Sequence, residues 1–240
     1  MLDLHCHILP GLDDGAADPG VALEMAAMAA DSGVTHIFAT PHCNTRNPRK
    51  NYRTPRLIAA YSELQALLDE AGIPVRILSG AEVLCRGRFR ERLAAGDFMT
   101  LNGSRYLLVE FYFDEQPDYI EGCLQAVEAE GLVPVVAHPE RYYCVQGAPQ
   151  LAQQWADAGR VLQLNKGSLL GDLGPEAYYT SRLLLQRGAV AVIASDAHHF
   201  QYRDPHMGPL LDCLARRFPE ADPELLLRIN PLKIAKDQAL

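Results

Sequence analysis

No two cysteines of this 240-residue sequence stand in C-x-x-C spacing. The six cysteines (Cys6, Cys43, Cys85, Cys123, Cys144 and Cys213) are irregularly placed, which argues against a disulfide framework and for reduced thiols in a cytosol. No apolar run approaches the roughly 20 residues needed to span a bilayer. No basic n-region precedes an apolar stretch after Met1, so no secretory signal is expected. Glycine-rich phosphate loops of the G-x-G-x-x-G or Walker kind, and a G-x-S-x-G elbow, are missing from any believable context. Basic residues are the minority, 22 against 30 acidic, and the net charge of −8 argues mildly against a nucleic-acid or anionic-membrane surface. Low-complexity tracts, long linkers and composition breaks are also lacking, so residues 1–240 are expected to form one domain. With 48% hydrophobic residues a sizeable core is available and disorder is excluded.

What the chain does have is a rhythm. Short apolar, β-branched runs at 2–6, 35–40, 75–80, 106–111, 133–137, 161–165 and 190–195 read as seven strands. Between them lie amphipathic helical stretches at about 19–32, 54–71, 87–95, 117–130, 149–158 and 176–187. Gly33, Gly72, Gly131, Gly159 and Gly188 stand where helices stop. Residues 205–240 read as two more helices, with starts marked by Pro205 and Pro223. Strand, helix, glycine, strand is the pattern of a parallel α/β sheet. A closed barrel of about seven strands is the first expectation; an open doubly wound sheet fits the same periodicity.

The strand ends carry the chemistry. The first runs into His5-Cys6-His7 and then Asp13-Asp14-Gly15, and the second into Pro41-His42. The third meets Glu82, the fourth carries Glu110, the fifth ends in His138-Pro139-Glu140-Arg141, the sixth in Asn165-Lys166, and the seventh in Asp196-Ala197-His198-His199. In a barrel such ends converge on one mouth. Side chains at i and i+2 of a strand share a face, so His5 projects with His7, and Asp196 with His198. With His42, Glu82, Glu110, His138 and Asp14 this makes nine candidate ligands, enough for two or three cations that each need four to six donors. Imidazole and carboxylate without thiolate suit Mn²⁺, Zn²⁺ or Fe²⁺ better than Ca²⁺ or Mg²⁺. Glu110 lies in the apolar run Leu107-Leu108-Val109-Glu110-Phe111, where a carboxylate needs a partner or a metal. His36, at the wrong end of its strand, and His199 and His206 read as ordinary histidines.

One motif misleads. His42-Cys43-x₅-Arg49 has the spacing of a thiolate phosphatase loop, but Asn44-Thr45-Arg46-Asn47-Pro48 has no glycine to wrap an anion, and Pro48 removes a donor. Arg46, Arg49, Lys50 and Arg53 make a basic stretch that reads equally as a solvated charge run or as a receiver of acidic or phosphorylated peptide.

Asp3-Leu4-His5-Cys6-His7, Thr40-Pro41-His42, Ala137-His138-Pro139-Glu140-Arg141 and Ser195-Asp196-Ala197-His198 resemble the motif series of the PHP (polymerase and histidinol phosphatase) superfamily. The longer opening from His7 to Ala16 is similar to that of the bacterial capsule and exopolysaccharide tyrosine-protein phosphatases, partners of bacterial tyrosine autokinases. The likeness runs from His5 to about Pro231. It implies a distorted (β/α)₇ TIM-like barrel with three divalent ions, usually Mn²⁺. Position by position it would place His5, His7, Glu82 and Asp196 on one ion; Glu82, Glu110 and His138 on a second; and Asp14, His42 and His198 on a third. The phosphate-binding arginines would be Arg141 and Arg203. Divalent ions so held lower the pKa of bound water from about 15.7 toward about 7. A tyrosine leaving group with a pKa of about 10 needs only modest proton donation, for which His42 and His199 are candidates. The implied substrate is a phosphotyrosine protein, a kinase tail in the cytoplasm. A small-molecule phosphoesterase such as histidinol phosphatase, and a non-catalytic metal-binding module, are the competing expectations.

Overall fold

The computed structural model describes residues 1–45 and 51–240. Along the chain, β1 (Leu2–Cys6) is followed by α1 (Pro19–Asp31), β2 (His36–Ala39), β3 (His42–Cys43), α2 (Pro55–Glu70), β4 (Arg76–Ser79) and β5 (Glu82–Leu84). Next come α3 (Phe89–Ala94), β6 (Tyr106–Glu110), α4 (Pro117–Ala129), β7 (Val133–Ala137), α5 (Tyr143–Gly147) and α6 (Gln150–Asp157). The chain ends with β8 (Val161–Asn165), α7 (Lys166–Leu170), α8 (Pro175–Gln186), β9 (Val192–Ala194), α9 (Gly208–Arg217) and α10 (Asn230–Ala235). Helix starts follow local chemistry: Asp18 and Thr54 accept the backbone N–H of Val21 and Leu57, with Pro19 and Pro55 as first helical residues. All five glycines expected to stop helices have positive φ.

Among the described residues nine strands make seven strand lines. β2 pairs with β4 from His36↔Arg76 to Ala39↔Ser79, and β3 pairs with β5 at His42↔Glu82 and Cys43↔Val83. The 40-residue offset is the same on both sides of the break, so β2–β3 and β4–β5 are two strands interrupted at one level. The break on one side is Thr40-Pro41 and on the other Gly80-Ala81. Gly80 leaves room for its neighbours, since a Cβ there would lie 2.9 Å from the Leu101 side chain and 3.0 Å from that of Thr40 and would push them aside. All ladders are parallel, in the order β1, β2 and β4 in one sheet and β3, β5, β6, β7, β8 and β9 in the other. The seam between β9 and β1 is short. It consists of a bridge from Cys6 to Ala197, with Asp196 N–H donating to the His5 carbonyl at 2.8 Å and His7 N–H to that of Ala197 at 2.9 Å. Buried Asp3 fastens the same seam, accepting Ser195 N–H at 2.9 Å and Ser195 Oγ–H at 2.5 Å. The result is a distorted (β/α)₇ barrel, not an open sheet.

Its interior is layered. Leu4, Phe38, Leu108, Val135, Val161 and Val192 form part of one buried apolar cluster shared among strands. Continuing up the same strand faces brings His42, Glu82, Glu110, Gln163 and Asp196 into the mouth. Two strands change face on the way. The β1–β2 register slips by one residue between Asp3 and Cys6, so Leu2 and Leu4 face the floor while His5 and His7 face the mouth. After Ala137 the chain turns through a left-handed His138, φ 35°, which throws its imidazole inward. At the C-terminal end α9 begins at Gly208, not at Pro205: Pro209 occupies its first turn. The helical run that starts at Pro223 passes through a π-helical turn, Leu225–Ile229, into α10.

Candidate metal centre

The polar layer gathers all nine candidate ligands. His5 Nε2 lies 3.1 Å from His7 Nε2, 3.3 Å from Glu82 Oε2 and 3.4 Å from Asp196 Oδ1. His7 Nε2 is 3.3 and 3.4 Å from the same two oxygens. A tetrahedral ion with bonds of about 2.1 Å separates its donors by about 3.4 Å, so His5, His7 and Asp196 stand at the spacing a cation requires, with Glu82 Oε2 at the same distance from both rings. Beside them His42 Nδ1 is 2.9 Å from Glu82 Oε2 and 3.1 Å from Glu110 Oε1, and His138 Nε2 is 2.9 Å from Glu82 Oε1. On the solvent side Asp14 Oδ1 reaches His42 Nε2 at 3.5 Å and His198 Nε2 at 3.7 Å. Glu82 stands at the centre of the first two groups. His42 belongs to both the second and the third, where the resemblance implied the third alone.

Hydrogen bonding outside the cluster sets the direction of each ring. His7 Nδ1 faces the Asp13 carboxylate at 2.7 Å, His5 Nδ1 faces Gln163 Oε1 at 2.8 Å, and His198 Nδ1 faces the Asp196 carbonyl at 3.0 Å. Each partner only accepts, so Nδ1 carries the proton and the Nε2 lone pair points into the cluster. Gln163 is itself oriented by donating to Leu164 O at 2.7 Å and Asn165 Oδ1 at 2.9 Å, and Asn165 donates to Asp196 Oδ2 at 2.6 Å. Asp13 also accepts Gly15 N–H at 2.9 Å and His42 N–H at 2.8 Å. Gly15 has to be glycine, because a Cβ would come within 2.0 Å of the His7 carbonyl oxygen. Sequence reasoning overlooked Gln163 and gave Asp13 no role. Two side-chain amides, Gln163 and Asn165, in the otherwise apolar run Val-Leu-Gln-Leu-Asn were the available signal.

Buried His138 Nδ1 and His198 Nε2 find no hydrogen bond. A buried polar atom without a partner costs about 1–3 kcal/mol, and His198 Nε2 points where a cation would satisfy it; Glu82 Oε2 meets imidazole nitrogens alone, at 2.9 Å from His42 and 3.3 Å from His5 and His7. The charges tell the same story. Burial would lower the His42 pKa, but Glu82 outweighs it and pushes it up to about 11. His7 is likewise raised by Asp13 against burial. Burial would raise Glu82 and Asp196, yet the His5 charge beside them holds both well below the usual carboxylate range. Burial, reinforced by His7, drops His198 to about 2. Glu110 is raised by burial and by Glu82. Protons here stand where divalent charge fits better, and the donor set suits it.

A model of the family described as "Capsular polysaccharide synthesis, CpsB/CapC" matches residues 1–236. The chain belongs to the CpsB/CapC family. It is 34% identical over 226 residues to tyrosine-protein phosphatase YwqE of Bacillus subtilis, covering 94% of this chain and 88% of that one. It is 28% identical to tyrosine-protein phosphatase CpsB of Streptococcus pneumoniae, covering all of both. A solved chain from the work on YwqE and CpsB, described as metal-dependent tyrosine phosphatases, superposes with a TM-score of 0.91 at 34% identity, over 100% of this chain and 96% of that one. A phosphotriesterase of Mycobacterium tuberculosis, with a TM-score of 0.56 at 12% identity over 100% and 94% of the two chains, shares the fold alone.

In this CpsB/CapC chain both expected arginines reach the mouth. Arg203 Nη2 lies 2.6 Å and Arg141 Nη1 3.6 Å from Asp196 Oδ2, while Oδ1 of the same carboxylate faces His5 and His7. Arg141 also lies 4.3 Å over the Phe113 ring. Buried Lys166 pins the loop behind Arg203, donating to Asp204 O at 2.6 Å, Asp204 Oδ1 at 2.9 Å and His206 O at 3.0 Å. His199 stacks between Phe200 and Tyr202 at 4.4 and 4.6 Å, and none of its described contacts reaches the cluster. His36 pairs with Thr35 at the far end of its strand, and His206 accepts Gly208 N–H, so neither joins. The thiolate alternative loses its nucleophile: Cys43 is buried and its thiol is pushed up to about 12. Arg46, Arg49 and Lys50 of the basic stretch lie outside the described residues; Arg53 is exposed.

Proposed function

We propose that the chain is a metal-dependent protein-tyrosine phosphatase holding three divalent cations, Mn²⁺ foremost, with Fe and Zn compatible with the same donors. His5, His7, Glu82 and Asp196 hold the first; Glu82, Glu110 and His138 the second; Asp14, His42 and His198 the third. The supporting observation is the set of Nε2 lone pairs of His5, His7 and His198, all aimed with Glu82 and Asp196 into one buried space. When bound, the cations supply Lewis-acid charge and activate water for attack on phosphorus.

The chain's own groups do the rest. Asp13, Gln163 and Asn165 keep the rings and Asp196 in orientation. Arg141 and Arg203 leave Asp196 Oδ2 to take the non-bridging oxygens of a phosphoryl group, where their planar donors stabilise the growing charge. Phe113, against Arg141, offers an apolar wall to an aromatic leaving group. Phenolate, with a pKa of about 10, departs without a dedicated acid, so His42 serves as a ligand. The substrate is a phosphotyrosine segment of a bacterial tyrosine kinase of capsule or exopolysaccharide synthesis, in the cytoplasm. The relatives' names support a phosphotyrosine protein as the substrate, and the family description supports the link to capsule synthesis. No helix among the described residues is long and apolar enough to cross a membrane.

The test compares initial rates on a phosphotyrosine peptide and on histidinol phosphate, before and after chelation and Mn²⁺ addition. Metal-dependent preference for the peptide is expected. Faster turnover of histidinol phosphate would move the chain to the small-molecule class, and bound metal without any turnover would make it a binding module. Elemental analysis of protein purified without chelator should find about three divalent ions per chain.

A further inference from the structure

Two residues along the chain from His42, Glu82 and Glu110 stand Asn44, just past the end of β3, Leu84, the last residue of β5, and Tyr112, just past the end of β6. These three residues, with Tyr52, Arg86, Arg88 and Arg92, line a second cavity of about 390 Å³. Among the described residues no carboxylate lines it, while three guanidinium groups do; the carboxylates paired with them stand outside the lining.

The walls are braced. Asn44 donates to the carbonyls of Leu84 and Arg86 at 2.8 and 2.9 Å, and Tyr52 Oη–H donates to Asn44 Oδ1 at 2.9 Å. Arg86 lies 5.2 Å from the Tyr112 ring centre and Arg92 4.4 Å from that of Tyr52. Each arginine spends one described hydrogen bond on a carboxylate outside the lining: Arg86 on Glu115, Arg88 on Glu91 and Arg92 on Asp97. A guanidinium has five N–H donors, so most remain for a ligand. Along β5, Glu82 and Leu84 are two strand residues apart, about 6.7 Å, so the hollow lies next to the centre.

We infer that this hollow is a subsite for an anionic side chain of the substrate segment, a carboxylate or a second phosphate, roughly two residues from the phosphotyrosine. The inference rests on the phosphotyrosine reading above. Planar bidentate donors beside tyrosine faces suit an anion carried on an extended chain better than a free small molecule. The basic floor would also favour acidic segments in the encounter step.

The experiment uses the full Mn²⁺-loaded chain and three substrates: p-nitrophenyl phosphate, a phosphotyrosine peptide flanked by glutamates, and the same peptide flanked by alanines. The wild type should favour the acidic peptide about tenfold in kcat/KM, as charge-assisted contacts allow. Arg88→Glu should erase that preference, leave p-nitrophenyl phosphate within about twofold, and favour a lysine-flanked peptide; Arg88 is exposed and its loss spares the core. A phosphoserine-flanked peptide separates phosphate from carboxylate as the favoured anion. Equal rates on acidic and neutral peptides in the wild type, or a preference that survives Arg88→Glu, would overturn the subsite. If p-nitrophenyl phosphate turns over and neither peptide does, the phosphotyrosine reading fails. Fluorescence anisotropy of the labelled peptides then decides the subsite alone, with equal affinities overturning it.

Discussion

Replacing Gln163 by leucine should separate ring orientation from ring identity at the centre. The side chain is fully buried, and leucine nearly preserves its volume. The exchange leaves His5 Nδ1–H without its 2.8 Å acceptor and Asn165 Oδ1 without its 2.9 Å donor. A buried donor without a partner costs about 1–3 kcal/mol, and on a chain of this length each kcal/mol lowers Tm by about 2–4 °C. His5 then loses the bond that fixes its tautomer, and Asn165 loosens its hold on Asp196. Outer-shell losses of this kind weaken metal binding about 10- to 100-fold, or about 1.4–2.7 kcal/mol. The assay is a Mn²⁺ titration read by p-nitrophenyl phosphate turnover. The midpoint should shift to higher Mn²⁺, while the rate at saturating Mn²⁺ recovers to near the wild-type value. An unchanged midpoint in a folded variant would refute the assignment of Gln163 as the group that orients His5.

Asp196→Ala removes an oxygen of the first group and the anchor of both arginines; turnover should vanish while circular dichroism keeps the native α/β signature. Arg141→Ala should raise KM about tenfold or more and leave the metal count unchanged by elemental analysis. Cys43→Ser should keep activity within about twofold, since a thiol pushed up to about 12 supplies almost no thiolate near neutrality; a large loss would restore the thiolate mechanism. Metal loading should release protons and weaken as pH falls. His42, raised to about 11 in the cation-free fold, is protonated at neutral pH. Its charge stabilises that fold fully below its unfolded value of about 6.5, and the contribution is lost as pH rises through about 11. A cation needs the neutral ring, so apparent affinity should gain about tenfold per pH unit for each proton displaced. Calorimetric titration in buffers of different ionisation enthalpy would count those protons, and a count of zero would contradict the charge states described.

Much of the architecture was legible before folding, because the information was local. The runs at Leu2–Cys6, Val133–Ala137 and Val161–Asn165 became strands with those bounds, since short segments rich in Leu and Val between helical stretches suit buried parallel strands. His5 with His7, and Glu110 in its apolar run, announced a buried polar cluster through spacing and desolvation alone. What the chain could not disclose depended on neighbours distant in sequence. The one-residue slip between Asp3 and Cys6 turns His5 and His7 inward, but a bulge exists only against a partner strand. The left-handed turn at His138 is tolerated because the Gln163 carbonyl holds its N–H at 2.8 Å. The two short helices Tyr143–Gly147 and Lys166–Leu170 are too brief for a periodic signal. Closed barrel or open sheet was settled where Asp3 meets Ser195 and Cys6 meets Ala197, about 190 residues apart. The amino-acid sequence determined which residues are able to bind cations. Only the tertiary structure decided which lone pairs face each other, because orientation comes from hydrogen bonds made across the barrel.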